Sequence, residues 1–140
     1  MADQFEINNP FAKKIPDENI RSVLEQVTRK TRKEKILGRK TKLQVSVALV
    51  SKKDITKLNK QYRKKEGSTD VLSFCYDKSD SMIVGEIVLS PKVIEIYARE
   101  DEEAFDSEIE KNLVHGLLHI LGFEHGEKMF TLQEDLLEDL

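Results

Sequence analysis

Cysteine, histidine and long apolar runs are all scarce in this sequence of 140 residues. Its one cysteine, Cys75, cannot form an internal disulfide, which fits a reducing cytosol. No stretch approaches the roughly 20 apolar residues that a membrane-spanning helix needs. Residues 1–10 also lack the basic and apolar regions of a signal peptide. We therefore expect a cytoplasmic protein with no membrane partner.

Linkers, repeats and low-complexity segments are missing too, so residues 1–140 are expected to form a single domain. Alternating apolar residues predict strands at 43–49, 71–76 and 82–89, the last two as a hairpin. Apolar residues at helical spacing predict helices at 17–35, 51–67, 90–100, 106–121 and near the C-terminus. Ser90 is predicted to cap the helix that begins at Pro91. This order predicts an α+β fold, with one mixed β-sheet packed by several helices.

Positive charge is concentrated in the N-terminal half of the chain. Residues 1–65 contain 18 Lys and Arg against 7 Asp and Glu, whereas residues 100–140 contain 2 against 13. The densest basic run is 29–42, with eight basic residues and one acidic residue. Most charge runs are solvated faces, but this segregation favours a phosphate-rich partner. The acidic C-terminal region either repels nucleic acid or pairs with the basic half, and both alternatives stay open.

All three histidines lie within eleven residues, as His115, His119 and His125. The first two are four apart and project from the same side of a helix. Gly122 predicts a helix end that lets the chain bring His125 beside them. The opposite side of the helix is predicted to face the core through Ile109, Leu113, Gly116, Leu117 and Ile120. Three converging imidazoles predict one bound metal ion, expected to be Zn²⁺, with an open position for water or substrate.

The histidine spacing is similar to that of helical zinc proteases, with one difference. Gly116 occupies the position where their HExxH motif carries the glutamate that acts as general base. This difference argues against peptide hydrolysis by that mechanism, although Glu86 and Glu124 are alternative bases.

Three segments, taken in order, resemble the YbeY family of bacterial metal-dependent endoribonucleases. They are Leu58–Asn59 with Tyr62–Arg63 and Thr69–Phe74, then Gly85–Ser90, and then His115–His125, which is close to the family signature HGxLHLxGYDH. The resemblance covers about residues 52–140, and residues 1–50 match only in general layout. Cys75, Phe123 and Glu124 replace the Pro, Tyr and Asp that are usual in the family, and none of the three is a predicted ligand.

The resemblance implies a zincin-like metal helix, with zinc bound by His115, His119 and His125. It implies a single-strand-specific endoribonuclease that matures the 3′ end of small-subunit ribosomal RNA and acts in ribosome quality control. The implied partners are ribosomal RNA and the small subunit, and no DNA is expected. It also places Arg63 by the metal cleft, where a planar guanidinium suits a phosphate. Arg63 and the ligand His115 are therefore the candidate catalytic residues.

Two other functions stay open from the sequence. One is a metallohydrolase of a peptide or a small phosphoester. The other is a ribosome-binding protein with a structural metal and no catalysis, which the three-ligand count disfavours because structural zinc normally has four protein ligands. Among the neighbouring residues, Asp70 is expected to orient a turn or a side chain, and Ser73 to pack within a strand rather than act as a nucleophile.

Overall fold

A four-stranded sheet and five helices make up the described part of the chain in this computed structural model, which covers residues 3–63 and 69–140, without the side chain of Arg63. The strands are β1 (Gln4–Asn8), β2 (Lys42–Leu49), β3 (Val71–Lys78) and β4 (Met82–Leu89). The helices are α1 (Asp17–Lys33), α2 (Lys52–Arg63), α3 (Pro91–Glu100), α4 (Phe105–Ile120) and α5 (Glu127–Glu138).

The sheet is mixed, as predicted, with the strand order β1-β2-β4-β3. Strands β1, β2 and β4 are parallel, whereas β3 runs antiparallel to β4, which confirms the predicted hairpin. Strand β1 was not predicted. It has only two inward apolar residues, Phe5 and Ile7, and it exists because its backbone pairs with β2, about 40 residues away in the chain.

Each face of the sheet carries its own apolar layer. On one face, the alternate residues Leu43, Val45, Val47 and Leu49 of β2 pack with α1 and α4 in the main core. On the other face, a smaller cluster contains Ile55, Leu72, Val88 and Val93, which belong to α2, β3, β4 and α3. The alternation of side chains along each strand therefore decides which layer a residue enters.

Helix α4 is the most enclosed helix of the main core. It contacts β3, β4, α1, α3 and α5. Val114 and Leu118, which lie outside the predicted stripe, are fully buried, and Glu108 and Asn112 are buried as well. The predicted stripe was therefore too narrow, because a helix surrounded by partners buries more than one face.

Close contact between α4 and the sheet depends on Gly85 in β4. A Cβ atom at this position would lie 2.7 Å from Cγ2 of Ile120 and 2.8 Å from the carbonyl oxygen of Phe74. Only a residue without a side chain lets the last turn of α4 approach the strand this closely.

The predicted helix starts agree with the structure in position but only partly in their hydrogen bonds. The backbone N–H of Asp54 donates to Oγ of Ser51 at 3.1 Å, as the sequence pattern predicts. Helix α3 begins at Pro91, but Ser90 does not cap it: its hydroxyl is buried and has no hydrogen-bond partner among the residues that the structure describes. The predicted end of α2 near Gly67 lies outside the described residues.

One arginine of the basic run has a structural role. The guanidinium of Arg32, in α1, forms an ion pair with Asp3 and also donates to the carbonyl of Thr41. Asp3 in turn accepts the backbone N–H of Leu43 at 2.9 Å. The bond to Arg32 holds the pKa of Asp3 below its usual value. Arg32 therefore links the N-terminus, α1 and β2, and it is not a free phosphate ligand.

We predict that Gly85→Ala lowers the free energy of unfolding by about 1–3 kcal/mol, because the new methyl group overpacks the contact with Ile120. Gly126→Ala is the matched control, since a Cβ atom there meets no atom within 4 Å. Urea denaturation of both metal-free variants provides the measurement. Equal stability of the two variants would show that α4 can retreat from the sheet at no cost.

Candidate metal centre

The three histidines converge at the end of α4. His115 and His119 belong to the helix, and His125 follows in the loop before α5. Their Nε2 atoms form a triangle, with separations of 3.1 Å between His115 and His119, 3.3 Å between His119 and His125, and 3.2 Å between His115 and His125. The structure thus brings together all three predicted ligands.

The turn that brings His125 to this point is made by Gly122. This residue has a φ of 106°, in the left-handed region that favours glycine. Its N–H donates to the carbonyl of His119, and the N–H of Phe123 donates to the carbonyl of Leu118, both at 3.0 Å. These bonds satisfy the last carbonyls of the helix and reverse the chain, as the sequence predicts.

Hydrogen bonds at the other ring nitrogens of the two helical histidines fix their tautomers. Nδ1 of His115 lies 2.9 Å from Oε1 of Gln133, and Nδ1 of His119 lies 2.9 Å from the carbonyl oxygen of Phe123. Because both partners are acceptors, each Nδ1 carries the proton and donates it. Each Nε2 of this pair then presents a lone pair to the centre of the triangle.

This donor set fits a tetrahedral metal ion. Two nitrogens bound to zinc at about 2.0–2.1 Å with tetrahedral angles are about 3.3–3.4 Å apart, close to the observed separations of 3.1–3.3 Å. Facing lone pairs repel each other unless a cation or a proton lies between them. Among the residues that the structure describes, these three form the one group of His, Cys, Asp or Glu side chains with metal-site spacing.

Burial favours the neutral, metal-binding form of His115. Desolvation lowers the pKa of this half-buried imidazole below its usual value, and the positive charge that His125 can carry lowers it further. The hydrogen bond to Gln133 and the carboxylate of Asp70 act in the opposite direction but do not reverse the shift. Asp70 therefore acts on the site electrostatically, and it is not a member of the metal-binding group.

A cleft of about 180 Å³ opens beside the histidines. It is lined by Ser73, Cys75, His119, Ile120 and His125. Ser73 and Cys75 come from alternate positions of β3, so both point to the face of the sheet that α4 covers. This cleft gives a ligand access to two of the three imidazoles.

Of the two predicted substitutes for a protease glutamate, the structure directs Glu86 away from the histidines. Glu86 points to the opposite face of the sheet from its neighbour Gly85, and its carboxylate accepts a hydrogen bond from the hydroxyl of Tyr76 at 2.7 Å. Glu124 is exposed in the loop after α4. Gly116 itself faces Ile87, which would lie 3.0 Å from an added Cβ atom, so the HExxH position of this helix packs against the sheet.

Sequence reasoning missed Gln133. This residue is buried in α5, one turn after Met129 and one turn before Leu136, both of which belong to the main core. The available signal was a polar residue on the apolar face of an amphipathic helix, where a buried amide needs a hydrogen-bond partner. Its partner, His115, is 18 positions away, so sequence alone did not identify the pair.

The remaining predicted site residues are less completely described. The described part of helix α2 reaches Arg63, whose side chain lies outside the described part of the chain. The end of the basic run lies at the same end of the sheet as the last turn of α4. Thr41 donates to the carbonyl of Asp80 in the β3–β4 turn, and Lys78 donates to the carbonyl of Leu121.

No helix within residues 3–63 and 69–140 is both long enough and apolar enough to cross a membrane.

Comparison with known proteins gives one consistent family. The family model described as Endoribonuclease YbeY matches residues 6–140, so the match includes most of the N-terminal region where the sequence showed only a general likeness. The chain is 33% identical over 129 residues to Endoribonuclease YbeY of Thermotoga maritima, covering 88% of this chain and 79% of that protein. It is 34% identical over 117 residues to the Bacillus subtilis protein of the same name, covering 72% and 74% of the two chains.

A solved structure shares the fold. The solution structure of a Thermotoga maritima protein superposes with a TM-score of 0.67 at 30% identity, covering 97% of this chain and 88% of that one.

We predict that Gln133→Leu weakens metal binding by about 10- to 100-fold, since a lost partner of a ligating histidine typically has this effect. Gln133→Glu keeps an acceptor oxygen for Nδ1 of His115 and should retain most of the affinity. Competition with a chromophoric chelator measures the metal affinity. His125→Ala, which removes a ligand, gives the affinity of an incomplete site for comparison. Thermal unfolding of the metal-free variants shows whether the substitution disturbs the packing of residue 133 or only the orientation of His115. Wild-type affinity in Gln133→Leu would remove Gln133 from the site.

Proposed function

The chain belongs to the Endoribonuclease YbeY family, and on that premise we propose that it is a metal-dependent endoribonuclease. The observation that carries the proposal is the triangle of Nε2 atoms. Two of these atoms present lone pairs because their Nδ1 protons are donated elsewhere. Such a site binds one divalent cation through protein ligands on one side only.

We propose Zn²⁺ as the ion, held by His115, His119 and His125. Imidazole nitrogen and a three-ligand site with an open position suit catalytic zinc. When bound, a divalent ion polarises a phosphoryl oxygen or lowers the pKa of a water molecule toward neutrality. The chain's own contribution is to hold the three rings in place and to keep His115 neutral through burial.

Arg63 is proposed to bind the phosphate that is cleaved. The proposal rests on the family resemblance of the segment from Leu58 to Phe74, because the side chain of Arg63 is not described. A guanidinium offers parallel N–H groups that match two phosphate oxygens and the charge that gathers on them in the transition state. His115 takes part as a ligand whose basicity is set by Gln133.

The proposed substrate is single-stranded RNA, and the proposed role is maturation of the 3′ end of small-subunit ribosomal RNA, with a further role in ribosome quality control. Family membership supports this role, with the ribosomal small subunit as partner and the cytoplasm as location. Excess positive charge in residues 1–65 supports a polyanionic substrate. Peptide hydrolysis is less well supported, because neither Gly116 nor Glu86 supplies the base that a zinc protease uses.

We predict that the metal-loaded protein cleaves a single-stranded ribosomal RNA fragment and that chelation or His125→Ala abolishes cleavage. Arg63→Ala should lower single-turnover cleavage by on the order of a hundredfold, with a smaller effect on RNA affinity. Arg63→Lys keeps the charge but loses the planar fork, so only partial recovery is expected.

Metal content measured on the same Arg63 variants provides the control. Metal loss in Arg63→Ala would indicate a structural role, and near wild-type cleavage would exclude Arg63 from the mechanism. If pure, metal-loaded wild-type protein cleaves no RNA, the proposed activity is wrong and a binding protein takes its place.

We also predict that the exposed residues Lys33, Arg39 and Lys40 bind RNA phosphates. Arg32 is excluded from this set because it pairs with Asp3. Replacing the three with Glu should weaken RNA binding. The slope of the logarithm of the binding constant against the logarithm of the salt concentration should become less steep by about 2, since each lost contact with a single strand contributes roughly 0.7. Lys92→Glu, at an exposed position of α3, is the control. An unchanged slope in the triple variant would show that this run is merely solvated.

A further inference from the structure

Three aromatic rings form a row on the face of the sheet that is opposite the histidines. Tyr62 lies in the last turn of α2, and Phe74 and Tyr76 lie in β3. The rings of Tyr62 and Phe74 meet edge to face, with centroids 5.6 Å apart, and those of Phe74 and Tyr76 are nearly parallel, with centroids 6.2 Å apart. Both ends of the row are open, because Tyr62 is 59% exposed and Tyr76 is 64% exposed.

The row and the histidine cleft are separated by a single strand. Strand β3 is at the edge of the sheet. Its residues Ser73 and Cys75 line the cleft, whereas Phe74 packs on the smaller cluster of the other face. Tyr76 lies on that face too, because its ring stacks on Phe74 and its hydroxyl donates to Glu86. A flexible polymeric ligand that passes over this edge can therefore place one unit on the rings and the next unit in the cleft.

The outer ring of the row is held in a defined orientation. The hydroxyl of Tyr76 donates to Glu86 at 2.7 Å, and Tyr76 lies at the irregularity in the register of β3 and β4, between Cys75 and Asp77. Partial desolvation of the hydroxyl, and then its bond to Glu86, raise the pKa of Tyr76 to about 12. Like an ordinary tyrosine, Tyr76 is protonated near neutral pH and adds no negative charge to the surface. A ring that is already ordered loses little entropy when a ligand stacks on it.

The helix that carries Tyr62 is positively charged. Lys52, Lys53, Lys57 and Lys60 of α2 are exposed and form no ion pair with any residue in the described part of the chain, and Asp54 is the one acidic residue of this helix. Exposed aromatic faces beside a positive surface match the chemistry of a single-stranded nucleic acid, whose bases stack while its phosphates are attracted.

We propose that Tyr62, Phe74 and Tyr76 form a stacking platform for bases of a single-stranded RNA segment whose adjoining phosphodiester enters the histidine cleft. The occupant is single-stranded because the bases of an A-form duplex stack on one another and do not offer their faces to protein rings. This inference rests on the proposed function, because the platform would bind the RNA that is cleaved at the histidines.

The test compares the binding of two fluorescently end-labelled probes, a short single-stranded RNA and an abasic ribose-phosphate chain of equal length. Chelator is present, so that no cleavage occurs. Tyr76→Leu and Tyr62→Leu should each weaken RNA binding by about tenfold, with no effect on the abasic probe. Tyr76→Phe keeps the ring and should retain most of the affinity. Phe130→Leu is the matched control, because Phe130 is 54% exposed on α5 and belongs to no ring pair among the described residues.

Intrinsic fluorescence gives a second readout. The sequence has no tryptophan and three tyrosines, two of which are in the platform. Base stacking should therefore quench most of the tyrosine emission in the wild type and less of it in Tyr76→Leu. Wild-type RNA affinity in both Leu variants, or equal losses on the abasic probe, would overturn the platform. Because binding is measured without metal, weaker binding by the Leu variants supports the platform even if the loaded wild type cleaves no RNA.

Discussion

The metal centre depends on the close packing of α4 against β3 and β4. Gly85 lets Ile120 approach the strand, and this contact fixes the depth and rotation of the helical turn that carries His119. Helix α5 packs on the same helix and supplies Gln133 to His115. Since the protein interior tolerates little change in volume, a small shift of α4 would separate the ring nitrogens that must converge.

The acceptors that the structure shows at Nδ1 of His115 and His119 carry no charge, since they are an amide and a backbone carbonyl. Neutral imidazole ligands would leave much of the double positive charge of a bound divalent ion in place, and the carboxylate of Asp70 acts on the same site. Such a centre attracts anionic oxygen strongly, because the cation is the largest local charge. This property is compatible with a phosphodiester substrate.

Part of the positive charge of the N-terminal half is paired with acidic residues of the same chain. Lys30 in the basic half pairs with Asp139 at 2.8 Å, and Arg32 pairs with Asp3. The acidic C-terminal region thus pairs with the basic half through Lys30 and Asp139, which supports the intramolecular alternative at that position. The exposed residues Arg39 and Lys40 lie at the end of the sheet where α4 also ends, whereas the exposed lysines of α2 belong to a separate surface. The field that reaches a substrate is therefore smaller than the sequence count suggests.

The sequence by itself determined the features that arise from residues close together in the chain. The four-residue spacing of His115 and His119, the stop at Gly122 and the β3–β4 hairpin depend on helical periodicity and turn chemistry, which act over a few residues. The family resemblance added the identity of the fold and the proposed role of Arg63.

Only the tertiary structure decided which distant side chains meet. Strand β1 needs a partner about 40 residues away in the chain. Gln133 of α5 contacts His115 of α4, and Arg32 pairs with Asp3. Glu86 and Tyr76 became partners on the face away from the histidines because strand pleating sends neighbouring residues to opposite sides. These outcomes depend on the packing of whole elements, so no local pattern in the sequence specifies them.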